Sequence, residues 1–122
     1  MKVMVMVKAT KDSEAGVMPS QELLTAMGNY NEELVKAGVM LAGEGLQSSS
    51  KGARVRFSGD KRSVIDGPFA ETKEALLGFY VVDFDTLEEA VAFSKELSTV
   101  NPGSTSYEIR PFYVFRPGVS SA

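Results

Sequence analysis

Histidine and cysteine are both missing from the 122 residues of this chain. Without an imidazole or a thiol there is no Ser–His or Cys–His nucleophile pair. The usual zinc site is excluded as well, because zinc is held by thiolate and imidazole. Residue type leaves open a carboxylate-only site for magnesium or calcium, but no nucleotide or metal motif is present, and the chain is expected to use no metal and no cofactor. Acid–base work therefore falls to Asp, Glu, Lys or Tyr with pKa values moved by burial. No disulfide can form, which fits the cytoplasm. An apolar run of membrane-spanning length, roughly 18 residues or more, is also absent. The opening apolar stretch Val3–Val7 ends at Lys8 and reads as a strand, not a signal peptide. A basic excess is lacking too: 13 Lys and Arg face 16 Asp and Glu, for a net charge of −3. Nucleic acid, which needs a basic stripe to neutralise phosphates, is not an expected partner, and neither is a membrane.

What is present is a soluble, globular composition, 43% hydrophobic and 24% charged. The length is that of one domain, expected over residues 1–115 with a flexible tail at 116–122. Residues 2–8 are apolar at every position between two lysines, so this strand should be covered on both faces. Residues 9–18 read as a polar connection. Ser20 is placed to cap a helix whose stripe is Leu23, Met27, Tyr30 and Leu34, with Gly38 ending it. Residues 39–46 form a short extended segment. Ala53, Val55 and Phe57 alternate with Arg54 and Arg56 ahead of a turn at 59–62 and a return at Val64 and Ile65, the pattern of a hairpin with one basic face. Residues 78–84 form a strong strand. Asp85 or Thr86 caps a second helix, with capping-box spacing from Thr86 to Glu89 and a buried stripe of Leu87, Ala90, Val91 and Leu97, Phe93 lying to one side. A last strand runs through Tyr107 and Ile109. The order β-α-β-β-α-β predicts an α+β, ferredoxin-like antiparallel sheet with both helices on one face and the extra hairpin around 53–66. The bare sheet face should bury itself against its own copy, giving a homodimer. Met4, Met6, Met27 and Met40 suit core and interface.

Three stretches make the sequence similar to a known family. They are "LAGEGLQ" at 41–47, "DGPFAETKE" at 66–74 followed by "GFY" at 78–80, and "YEIRP" at 107–111. Together they resemble the YCII-related proteins of the DGPF type, over roughly residues 1–115. The resemblance implies a dimeric α+β barrel of ferredoxin-like fold, with the DGPF segment near a cleft associated with the dimer. Some relatives are similar in fold to small enzymes of the muconolactone-isomerase sort. Others are associated with extracytoplasmic-function sigma factors. Better-studied relatives pair a His with an Asp, and that dyad does not carry over to a chain without histidine.

Within the motif, Asp66 is expected to close an Asx-type turn onto a backbone N–H two residues on. Gly67 tolerates the conformations a residue before proline needs, Pro68 halts the strand, and Phe69 plugs apolar surface. Each has this plain structural task. The charged run that follows, Glu71, Lys73 and Glu74, is not required by a turn, and points to a polar ligand. In an apolar cleft Asp66 would become an acid or base. Glu44, between two glycines, is the second catalytic candidate, against the reading of a solvated bulge residue. Arg110 is placed to pair with Glu44 or Asp66. Arg54 and Arg56 hold an anion or form a solvated face. Tyr80 and Tyr30 line a pocket or are buried on a structural partner. Two functions follow. One is a cofactor-independent acid–base enzyme of isomerase or lyase type, acting on a small polar metabolite through Asp66 and Glu44, with Gly67, Pro68, Phe69, Glu71, Lys73, Glu74, Tyr80 and Arg110 around it. The other is a non-catalytic ligand-binding or transcription-associated interaction module.

Overall fold

The computed structural model describes residues 1–69 and 74–115. Strand β1 (Lys2–Lys8) leads through a short helix α1 (Lys11–Glu14) to helix α2 (Gln21–Lys36). Strand β2 (Met40–Gly45) and a single 3-10 turn (Ser49–Lys51) precede the hairpin β3 (Ala53–Ser58) and β4 (Lys61–Asp66). Strand β5 (Leu76–Asp83), helix α3 (Leu87–Val100) and strand β6 (Tyr107–Pro111) complete the chain. The main sheet is antiparallel throughout, in the order β2-β5-β1-β6, and β3-β4 is a separate ribbon. Without the inserted ribbon, this is the β-α-β-β-α-β arrangement of a ferredoxin-like fold. The predicted tail at 116–122 lies outside the described residues.

Local chemistry explains the element ends. Ser20 accepts the Leu23 N–H at 3.1 Å and caps α2. At the other end Gly38, with φ of 73°, donates to the Val35 carbonyl, and Val39 donates to that of Leu34. This is a Schellman ending, which needs the left-handed residue that glycine supplies. Thr86, not Asp85, caps α3 by accepting from the Glu89 N–H. The connection expected to be merely polar contains α1, closed by a capping box between Thr10 and Ser13.

The core lies between one sheet face and the helices. Val3, Val5, Val7, Tyr80 and Val82 meet Ala90, Phe93 and Leu97. The α3 stripe differs from the expectation. Leu87 and Val91 are exposed at 38% and 37%, whereas Phe93 is 6% exposed. Phe93 packs edge-on to Tyr80, parallel to Tyr30 and tilted against Phe84, at ring separations of 6.0, 6.4 and 5.5 Å. Three aromatic partners, from α2, β5 and the connection after β5, turn α3 so that this ring faces inward. Strand β1 also alternates: Val3, Val5 and Val7 are buried, while Met4 and Met6 are half-buried on the opposite face. Within the single chain the strand is thus fully covered on one side only. Met4 pairs across the sheet with Val81 and Arg110, and Met6 with Phe79 and Glu108. Direct antiparallel partners share a face, so these residues form one open surface with an apolar centre.

Candidate functional site

A cavity of about 650 Å³ lies between α2 and the β2–β5 side of the sheet. Its size falls within the range of small-molecule pockets. Helix α2 contributes Leu23, Leu24, Met27 and Asn31. The sheet contributes Val7, Leu77 and Tyr80, and the α1–α2 connection Val17, Met18 and Pro19. Gln47, Ser48 and Lys51 close the remaining side. Gly43, Gly45 and Gly78 also line it and add no side chain, so space remains between helix and sheet. The wall is largely aliphatic, with few polar groups. The Tyr80 hydroxyl donates to Asn31 Oδ1 at 2.6 Å. That bond fixes the Asn31 carboxamide, whose NH2 has no acceptor among the described residues. Burial, the larger influence, pushes the Tyr80 phenol above its ordinary pKa, so it is held as a neutral donor. The Lys51 ammonium has no carboxylate partner among the described residues.

The DGPF segment stands next to this cavity rather than inside it. Asp66 is exposed at the end of β4, and its carboxylate makes no hydrogen bond or ion pair among the described residues. The expected Asx-type turn does not form, for a simple reason: two residues beyond Asp66 is Pro68, which has no N–H. The available N–H groups go elsewhere. Gly67 donates to the Gly52 carbonyl at 3.1 Å, and Phe69 to Ser49 Oγ at 3.1 Å. The Gly67–Pro68 peptide bond is cis. A Cβ on Gly67 would overlap the Ser49 carbonyl oxygen, so only glycine permits this backbone-to-backbone contact. Phe69 is covered by the Arg54 guanidinium, 4.1 Å from its ring centre, and Arg54 lies 4.0 Å from Glu74. Ser49 in turn holds Glu14. Its N–H donates to Glu14 Oε1 at 3.0 Å and its hydroxyl donates to Glu14 Oε2. The motif therefore anchors the Ser49–Lys51 turn, and through that turn one wall of the cavity.

Of the residues singled out by sequence, the structure brings Tyr80 and Glu44 to the cavity. Strand alternation puts the Glu44 side chain with Phe79 on the open sheet face, so Glu44 meets the cavity through its backbone. Arg110 pairs with Glu108 at 3.2 Å, in place of the expected Glu44 or Asp66. Glu71 and Lys73 lie outside the described residues. Among the described residues no three carboxylates gather as a metal site, and no helix is long and apolar enough to cross a membrane. Sequence reasoning missed Asn31, Lys51, Ser49 and Glu14. Asn31 had a signal, as a polar residue beside the apolar stripe of α2. Glu14 and Ser49 are 35 positions apart in the chain, and no local pattern links them.

Comparison with known proteins points to one family. A family model of the YCII-related domain matches residues 1–113. A Rhizobium meliloti protein described as uncharacterised is 39% identical over 98 residues, which is 80% of this chain and 79% of that protein.

Proposed function

The chain belongs to the YCII-related domain family, and from that premise we propose that it binds a small, mostly apolar organic molecule in the α2 cavity. One observation carries the reading. The cavity is about 650 Å³, its wall is largely aliphatic, and the Asn31 carboxamide, held through its oxygen by Tyr80, lines it with an NH2 free to donate. An apolar body would fill the space beside Met27 and Leu77. A carbonyl or carboxylate oxygen would accept from Asn31, with Lys51 at the rim favouring an acid.

This favours binding over acid–base catalysis in the single chain. Asp66 and Glu44 are both exposed, so the burial an acid–base role requires would have to come from a partner copy. We also propose such a partner, a homodimer formed through the open sheet face. There Met4, Met6, Phe79 and Val81 are half-buried, and Glu44, Glu108 and Arg110 border them.

The binding reading is tested by thermal-shift screening of small cyclic and aromatic ketones and carboxylic acids, against the parent chain and Met27→Trp. A ligand at 100 times its Kd stabilises the folded state by about 2.7 kcal/mol. The indole should occupy the space beside Leu77 and remove that stabilisation. Compounds that protect Met27→Trp as well as the parent bind elsewhere, and the reading fails.

A further inference from the structure

Two segments that line the cavity meet through Glu14 and Ser49. Helix α1 and the connection after it, with Ser13, Val17 and Met18, form one, and the Ser48–Lys51 turn forms the other. Among the described residues, the hydrogen bonds that join these walls all run between Glu14 and Ser49. The two sides differ in how firmly they are held. Ser49 is fixed from behind: its Oγ accepts the Phe69 N–H, and Gly67 packs on its carbonyl. The connection has little to hold it. Helix α1 has no buried residue, and Val17 and Met18 are exposed at 60% and 74%. A segment with so few buried apolar contacts opens locally at low free energy unless something ties it down.

We propose that Glu14 is that tie: a positioning residue whose carboxylate latches the 10–19 segment to the Ser49 post and governs access to the cavity. The consequence for binding rests on the cavity reading above. The latch itself needs no ligand. Releasing Glu14 frees one wall and leaves the other, with Asn31 and Tyr80, in place. Ligand would then enter and leave faster while its bound contacts stay the same. A carboxylate is suited to the task because it accepts from both the N–H and the O–H of Ser49 at once.

The test is residue-resolved amide hydrogen exchange on the parent chain, Glu14→Ala and Glu14→Gln. In Glu14→Ala the amides of Gly16, Val17 and Ser49 should exchange roughly tenfold faster, while those of β1 and β5 are unchanged. Glu14→Gln keeps one acceptor and should fall between the two. A second readout is stopped-flow fluorescence with 8-anilinonaphthalene-1-sulfonate as the probe. Its association and dissociation rates should both rise in Glu14→Ala, with Kd changed less than about threefold. Unchanged exchange at Gly16, Val17 and Ser49 overturns the latch, and so does faster exchange across the whole sheet, which would mean general loosening. If local exchange rises as expected but Met27→Trp binds the probe as the parent does, the latch stands and the cavity reading fails.

Discussion

Gly67 shows how a short motif was visible while its cause was not. The Asp-Gly-Pro-Phe stretch announces a break in the chain because Gly and Pro end strands. What the break is for depends on Ser49, which the sequence places 18 residues earlier, with nothing local to connect them. The structure ties two of the motif residues to Ser49 and its surroundings: Gly67 to the Ser49 and Gly52 backbone, Phe69 to the Ser49 hydroxyl and Arg54. Asp66, the residue that looked most chemical, has none of these. Gly67→Ala should therefore separate the motif from the Ser49 turn. The expected cost is about 2 kcal/mol, the scale of other overpacked sites, with a melting temperature lower by roughly 8 °C in a domain of this size. Gly28→Ala makes the same chemical change in the interior of α2, where a Cβ meets nothing within 4 Å. There it should stabilise by about 0.5–1 kcal/mol, since alanine is the better helix former. Thermal denaturation of the two variants checks both signs. Equal melting temperatures would mean that the Ser49 contact carries no weight.

Among the elements, the strands were legible because their patterns have one solution, and α3 was misjudged because its pattern has two. Leu87, Ala90, Val91, Phe93, Ser94 and Leu97 offer overlapping stripes, one containing Leu87 and Val91, the other Phe93. Ala90 and Leu97 belong to both. Only partners from other elements decide between them, and Tyr30 of α2, Tyr80 of β5 and Phe84 select Phe93. Helix α1 escaped notice because four residues are too few for periodicity to show. These aromatic joints carry a pH dependence. Burial raises the phenol pKa of Tyr30, Tyr80 and Tyr107 above the ordinary 10.0, and the Tyr30 hydrogen bond to Glu96 at 3.0 Å adds to the shift. Each phenol thus keeps its proton in the folded chain at a pH where the unfolded chain has lost it. The stability this contributes is complete below pH 10, and is lost as pH rises from there through the higher folded values. Urea midpoints should fall as pH rises from about 10. Tyr30→Phe, which leaves the stacked ring and removes the hydroxyl, should reduce that fall. If the fall is as steep in Tyr30→Phe as in the parent, lysines are responsible instead.

At the scale of the whole molecule, the open sheet face poses the largest physical demand. One face of the sheet is closed by α2 and α3. The other presents Met4, Met6, Phe79 and Val81 as a continuous row across β1 and β5. Single apolar residues at the surface are ordinary, but a contiguous row of half-buried ones on a sheet face is a mark of an interface. The edges of the row are charged: Lys8 lies 3.8 Å from Glu108, Glu108 pairs with Arg110, and Glu44 flanks Phe79. An apolar centre within a polar rim is the anatomy of a protein–protein contact. A second copy related by a two-fold axis would place the same row against itself without an open end. Met6→Asp tests this at the centre of the row, on the side of β1 away from Val5 and Val7, so the folded core is left intact. Sedimentation equilibrium at micromolar concentration should show the parent chain as a dimer and Met6→Asp as a monomer with the same circular dichroism spectrum. Arg56→Asp, on the separate ribbon, should leave the dimer unchanged. A monomeric parent, or a Met6→Asp chain that dimerises as well as the parent, would remove this face as the contact. It would also remove the burial that Asp66 or Glu44 would need for acid–base chemistry. The α2 cavity, which is lined by one chain alone, would be unaffected by either result.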